Sequence, residues 1–351
     1  MSAIPSDPAV QRIDPLNDPA WDAGLAAFPG ATCFHTAAWA RVLRDTYRFQ
    51  PSYFTTRTAD GALSSIVPLM EVNSWLTGRR GLSLPFTDEC EPLGIDRETL
   101  RTTFRAIVAH AKVRRWKHWE LRGNTTALDA PSAVSFHGHR LALSSDSARL
   151  LARCDSAVRR AIRKAEQAQL TITFAHDLES TRAFHALLCK TRRRLGVPPQ
   201  PLRFFENIQR HILSHRKGCI VLARLGDTPI AGAVFLHFGR SALFKFGASD
   251  ETFQQFRPNN LVMWRAIDWH ARNGFDSLDF GRTSLGNEGL RRFKLSWGAT
   301  ERRISYARFD PRAATFVKAP DRSLGWHNGL FRVLPVAIAR LLGAAAYKHV
   351  A

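Results

Sequence analysis

The sequence predicts a mixed α/β protein, α+β in class, made of two similar domains whose mostly antiparallel sheets are flanked by helices. Three observations predict it. The chain has 351 residues, enough for about two domains at roughly 150 residues each. Its composition, 45% hydrophobic and 23% charged with 23 Phe and 9 Trp, suits a chain that buries a sizeable core without disulfides or metals. An order of elements also repeats. Strands at 63–72 and 230–238 and helices at 99–115 and 259–273 are followed by the runs WKHWELRG and FDSLDFGR, offset by about 160 residues.

Element by element, residues 1–30 are rich in Pro and Asp and are expected to be irregular. Thr36 is placed to cap a helix through Trp39, Val42 and Leu43. Short β-like runs follow at 51–57, 63–72 and 81–84, then the amphipathic helix 99–115 and strands at 116–121 and 135–143. Ser156 is read as the cap of a very basic helix, followed by a strand at 170–174. Helices at 178–195 and 202–214 are separated by the PPQP stop. Strands at 218–224, 230–238 and 242–247 precede the helix 259–273. Strands at 277–280 and 302–309 then enclose a short helix at 290–297. The expected domains are 31–150 and 151–310, with 311–351 a basic amphipathic tail whose helix covers 331–347.

Charge separates the halves. Residues 1–150 carry 17 basic and 15 acidic residues, a net +2; residues 151–351 carry 33 and 15, a net +18. Such a field suits an anionic partner. The N-terminus shows no signal-peptide pattern and no uncharged apolar run reaches ~18 residues, so a cytoplasmic location is expected. The five scattered cysteines lack CxxC spacing and give no zinc motif, so no metal is expected. GxSxG, HExxH, the P-loop and GxGxxG are all missing, which leaves hydrolase, zinc-enzyme and NTPase readings without support.

The stretch 244–298 runs strand, polar loop, helix, and a strand holding Asp279-Phe280-Gly281-Arg282. This order resembles the core of the GNAT acyltransferase fold, in which a loop-to-helix turn cradles a phosphate-bearing donor through backbone N–H groups. The family's donor loop reads Q/R-x-x-G-x-G/A. The matching positions are Gln255, Pro258 and Asn260, beside Asn259, so both glycines are replaced. Pro258 has no N–H to donate and Asn260 adds a side chain at the point of close approach.

Five features in order resemble the FemAB family, and within it the FemAB-like, BioF2-like acetyltransferases associated with exopolysaccharide genes. They are Phe34-His35-Thr36-x-x-Trp39, Leu82-Ser83-Leu84-Pro85-Phe86, the basic helix Arg159 to Glu166, Asp279 to Arg282, and Gly289 to Gly298 with Phe293-Lys294. After Leu84-Pro85-Phe86 the family has a glycine pair, whereas this chain has Thr87-Asp88-Glu89-Cys90-Glu91. The resemblance implies two GNAT-like domains facing a shared cleft. It also implies an acyltransferase moving an acyl or aminoacyl group from acyl-CoA or aminoacyl-tRNA to an amine of an envelope precursor, such as a peptidoglycan peptide or a polysaccharide amino sugar.

It further places Phe293 and Lys294 at the reaction centre, where a cation would stabilise the oxyanion formed when an amine attacks an ester or thioester. Asp279 is a candidate to orient or deprotonate the amine, and Arg282 to hold a phosphate or carboxylate. Asp88, in an acidic knot with Glu89 and Glu91, is a candidate to bind a cationic acceptor. In the basic helix Arg159 stands over Arg163 and Arg160 over Lys164, like charges at i,i+4 that favour an anionic partner. Candidate partners are a nucleotide-linked sugar, a tRNA backbone or, through the tail, the inner-membrane surface. The alternative from another class is a non-catalytic RNA- or membrane-binding protein on a degenerate GNAT scaffold.

Overall fold

The computed structural model describes residues 9–94, 96–123, 130–319 and 335–350. These fall into two compact units, one holding residues up to 135 with 304–319 and 348–350, the other residues 136–303 with 335–347. The chain begins with β1 (Gln11–Ile13), α1 (Trp21–Gly24), α2 (Ala37–Tyr47), β2 (Gln50–Pro51), β3 (Tyr53–Arg57), β4 (Leu63–Val67), β5 (Met70–Ser74), β6 (Gly78–Leu82), α3 (Arg97–Val113) and β7 (Trp119–Arg122). Next come β8 (Val134–Ala142), α4 (Ser147–Arg153), α5 (Ser156–Gln167), β9 (Thr171–Ala175), α6 (Leu178–Leu195), α7 (Leu202–His211), β10 (Gly218–Leu225), β11 (Thr228–Phe238) and β12 (Ser241–Ser249). The last are α8 (Pro258–Arg272), β13 (Ser277–Ser284), α9 (Glu288–Leu295), β14 (Thr300–Asp310), β15 (Thr315–Phe316) and α10 (Val336–Val350).

In the first unit β1, β3 and β4 form a small antiparallel sheet, and β2, β5, β6, β7 and β14 lie side by side in another, with β15 on β14. In the second unit the strand order is β8-β13-β12-β11-β10-β9. Each unit has a parallel pair joined through a helix: β6 and β7 through α3, β12 and β13 through α8. The helix-to-strand part of these crossovers is the repeat that the sequence showed; its strands at 63–72 and 230–238 lie outside the crossover pairs. Each helix lays an apolar stripe on its own sheet. Leu100, Ile107 and Ala111 meet Trp119 and Leu121 in the first unit; Val262, Ala266 and Ile267 meet Val221, Ala233 and Phe235 in the second.

Local chemistry explains where the expected boundaries hold. Thr36 accepts the Trp39 N–H and starts α2 as foreseen. Asp177 accepts the Ser180 N–H and Gly196, at φ 69°, ends α6. Other expectations are corrected. The run 63–72 is two strands, because Pro68 cannot donate to a ladder; β4 pairs with β3 and β5 with β6, in different sheets. Ser156 is the first helical residue of α5 and not its cap, and Asp155 before it makes no side-chain capping bond. Helix α4, capped by Asp146, stands where no element was expected. Residues 9–30, expected to be irregular, supply β1 and α1. Strand β13 continues past Phe280 to Ser284.

The tail forms α10 over 336–350; its expected start at 331–334 lies outside the described residues. In the second unit a Cβ on Gly343 would stand 2.2 Å from the Pro199 carbonyl oxygen, and the Tyr347 hydroxyl donates to the Pro198 carbonyl at 3.1 Å. In the first unit the His349 ring bonds the Ser74 hydroxyl at 2.8 Å. Ile338, Leu341 and Leu342 face outward, with Leu341 72% exposed.

Candidate functional site

The second unit brings its chemistry together where β12 and β13 part. Their parallel ladder has three pairs and ends at Leu243–Asp279, although the strands run on to Ser249 and Ser284. On its other side β13 pairs with β8, and between Asp279 and Arg282 that register shifts by a bulge in which Gly281 takes φ 67°. A left-handed residue in a bulge suits glycine, which has no Cβ to clash.

Lys294 is fixed on this bulge. From α9 its Nζ donates to the carbonyls of Gly281 at 2.9 Å and Arg282 at 3.0 Å, and the residue is 2% exposed. The lysine is therefore a buried cation behind β13. Phe293, its neighbour in sequence, points elsewhere: it packs edge-on against Trp297 as part of the core.

Asp279 does not end its strand and is not an unengaged base. One carboxylate oxygen accepts the Gly281 N–H at 2.7 Å. The other lies 3.3 Å from an Arg302 guanidinium nitrogen and 3.6 Å from one of Arg140. Arg282 lays its guanidinium over the Phe136 ring at 4.3 Å, a cation–π contact that sets its direction.

Beside this cluster stand three residues that the sequence reading passed over. Glu301 Oε1 is 3.2 Å from His137 Nδ1, and Oε2 is 3.1 Å from His139 Nε2. Arg291 grips the same carboxylate through Nε at 2.7 Å and Nη2 at 3.1 Å. That hydrogen bond, joined by the pull of His137, draws the Glu301 carboxyl down to about 2. His139 is fully buried, and desolvation followed by the nearby Lys294 charge lowers its pKa. The His137 side chain stays 18% exposed. Its Nδ1 faces Glu301, so the neutral tautomer protonated there would offer Nε2 as a lone pair, the arrangement of a histidine base oriented by a carboxylate. The signal in the sequence was His137-Gly138-His139, whose alternation puts both rings on one face of β8.

The donor-side candidates gather at the start of α8. Gln255 is exposed in a 3-10 turn, Asn259 donates to the Ser249 hydroxyl at 3.1 Å, and the Asn260 N–H goes to the Arg257 carbonyl. No side chain caps α8; Arg257, at φ 54°, occupies that position. On α5, Arg160, Arg163 and Lys164 are exposed. The Arg159 guanidinium bonds the carbonyls of Ala152 and Cys154 at the end of α4. Asp88 belongs to the first unit, where its carbonyl accepts the Tyr306 hydroxyl at 2.6 Å. In its loop Leu84 and Phe86 are both left-handed, at φ 54° and 61°, conformations that side chains disfavour. One set of side chains among the described residues is placed to hold a metal ion: Cys219, His237 and His270.

Comparison with known proteins bears on the fold. Residues 152–295, less than half of the chain, match the family model described as an acetyltransferase (GNAT) domain. No curated protein matches the sequence. Among solved structures, the crystal structure of FemX superimposes with a TM-score of 0.68 at 15% identity, over 84% of this chain and 96% of that one. L-PGS from Bacillus licheniformis gives 0.53 at 11% identity, over 95% and 98%. A tandem GNAT protein from the clavulanic acid biosynthesis pathway gives 0.54 at 11%, over 86% and 98%. Identities this low speak to the fold, and the fold is that of GNAT proteins in a two-domain, tandem-like arrangement, as the sequence predicted. The matched segment supports an acyltransferase in general terms. Among the described residues no helix is long and apolar enough to cross a membrane.

Proposed function

We propose that the second unit transfers an acyl or aminoacyl group to an amine of a cell-envelope precursor, at the cytoplasmic face of the inner membrane. The observation that carries this reading is the opening of the β12–β13 ladder after Leu243–Asp279, with Lys294 fixed behind it. An extended donor arm that carries amides can lie along a parted strand edge and bond to its backbone. The α8 start, without a side-chain cap and with Arg257 beside it, suits the donor's phosphate. The resemblance to the FemAB family and the match over 152–295 point to the same chemistry.

In the proposed reaction the acceptor amine attacks the donor carbonyl, and the C–N bond forms as the C–O or C–S bond to the donor breaks. His137 Nε2 accepts the proton the amine loses, and Glu301, held anionic by Arg291, stabilises the imidazolium. The buried Lys294 charge acts on the developing oxyanion through a medium of low dielectric. Arg282, Arg160, Arg163 and Lys164 are assigned to anionic portions of donor or acceptor.

Acyl-CoA and aminoacyl-tRNA are separated by thermal shift and turnover with each donor across a salt series. Stabilisation by acetyl-CoA that is indifferent to salt, with turnover, assigns acyl-CoA. Turnover with charged tRNA whose binding weakens steeply with salt assigns tRNA. Failure of both donors to bind or react would reject the transferase reading. A second reading, a membrane-binding protein without catalysis, draws on the outward Ile338, Leu341 and Leu342 beside exposed Arg340 on α10. It gains only if vesicle binding survives while no donor is turned over.

A further inference from the structure

Three elements of the second unit converge on a buried point. Cys219 lies on β10 opposite Phe235 of β11, so His237, two residues on, shares its face of the sheet. His270 comes down from α8. The ligand atoms of the three lie within 4.8 Å of one another, and both Cys219 and His270 are fully buried.

The ring nitrogens decide what this arrangement asks for. His270 Nδ1 is 2.6 Å from the Ala266 carbonyl, four residues back on α8, and so must carry its proton there. A neutral imidazole has one N–H, which leaves His270 Nε2 as a lone pair. His237 Nε2 faces it at 2.8 Å. In the His237 tautomer protonated at Nδ1, two lone pairs point at each other. That pair, with the Cys219 sulfur within 4.8 Å, offers a ligand set for a cation. A shared proton would leave an imidazolium in a dry core beside Phe235 and Phe275, with no carboxylate in the set. A metal ion instead brings the Cys219 thiolate with it as a charge partner.

We propose that Cys219, His237 and His270 form a binding site for a thiophilic d10 cation, Zn(II) or Cu(I), that clips β10, β11 and α8 together. A thiolate with two imidazoles selects such ions over Mg(II), Ca(II) or Mn(II). The His270 imidazole is presented by a second hydrogen bond to the Ala266 carbonyl, as metal-bound histidines are. Two Zn–N bonds of ~2.05 Å at a tetrahedral angle place the nitrogens about 3.3 Å apart, so the rings need to part by about half an ångström. Cu(I) with one thiolate is neutral and content with three ligands, which suits the dry core. Zn(II) would keep one positive charge and need a fourth ligand beyond these three. Motif spacing could not announce this site, because its ligands come from separate elements and not from a CxxC pair.

The test uses the full-length protein, stripped with a chelator under reducing conditions and titrated with Zn(II) or, without oxygen, with Cu(I). The expected result is one equivalent bound, with a rise in melting temperature. The metal with the higher affinity against a competing chelator identifies the ion. Co(II) should give a thiolate-to-cobalt charge-transfer band. Cys219→Ala should abolish that band and weaken binding at least tenfold, whereas Cys189→Ala, which alters the other buried Cys–His neighbours (Cys189 and His185, 3.8 Å), should leave both intact. If Cys219→Ala does not fold, His237→Gln on the half-buried ligand gives the same reading. Absence of stoichiometric binding by any of the three ions, or binding unaffected by these ligand substitutions, would show a plain hydrogen-bonded histidine pair and overturn the proposal. Failure of acyl transfer would not bear on it.

Discussion

Glu120 and Asp279 occupy corresponding places in the two units, each on the strand that follows the crossover helix, and each is gripped by two arginines. Glu120 bonds Arg122 and Arg308; Asp279 bonds Arg302 and Arg140. Yet Glu120 is sealed at 3% exposure, while the Asp279 side chain remains 17% exposed. The first unit continues its parallel pair beyond Leu82 with the Ser83 N–H on the Glu120 carbonyl, then fills the space with the loop whose Leu84 and Thr87 carbonyls Arg122 holds. The second unit lets its pair part. One scaffold has therefore used the same carboxylate position once to brace a strand and once to edge an opening. The histidines matter for the same reason: Glu120 has only permanently charged partners, whereas Glu301 faces two groups that can exchange a proton.

The largest expected effect tests that contrast. His137→Ala, or Glu301→Gln, should lower turnover by roughly 10²- to 10⁴-fold, the range for loss of general base catalysis, with the fold intact by circular dichroism. Equal rates in wild type and both variants would dissolve the distinction between the two units. Glu120→Gln should do the reverse. Removing one partner of a buried ion pair costs about 3–5 kcal/mol, to be read by urea unfolding, with turnover per folded molecule unchanged.

Acid should reach the first unit through His35 and Glu120. His35 bonds Thr32 and the Glu91 carbonyl, and burial lowers it from 6.5 to about 4. Its unfolded form takes up a proton more readily, so its stabilisation is full above pH 6.5 and is lost as pH falls toward 4. This amounts to ~3 kcal/mol at most. Burial pushes Glu120 up, but Arg122 and Arg308 outweigh it and hold the carboxyl at about 2. Its contribution is therefore full above 4.5 and fades as pH drops toward 2. Urea midpoints that stay flat from pH 7 to 4 would contradict the His35 assignment. The smallest effect belongs to α5. Arg163→Glu with Lys164→Glu should weaken donor binding and flatten its salt dependence, by about one unit of log–log slope for each phosphate no longer neutralised if the donor is tRNA.

Much of the fold could be read in advance where a signal is local. Asp177 and Gly196 bracket α6, Thr36 starts α2, and helix–strand order displayed the repeat. Reading 63–72 as one strand failed because apolar alternation masked the effect of Pro68. Phe34-His35-Thr36-x-x-Trp39, the first feature of the family resemblance, proves structural: the His35 ring completes a capping box with Thr32, and Phe34 meets Trp39 edge-on at 5.0 Å. In the site, Asp279, Arg282 and Lys294 stood out because they are close in the chain. Glu301 lies 162 residues from His139 and could not.

The sequence by itself determined the two-domain α+β class, the helix ends and a positive charge confined to one half, because periodicity, caps and composition act over a few residues. Only the tertiary structure decided that Lys294 is buried on two carbonyls, that Asp279 is held by arginines, that Glu301 gathers two histidines, and that Cys219 meets His237 and His270. Those facts depend on which strands pair and where a ladder opens, and pairing brings together residues between which the chain carries no local signal.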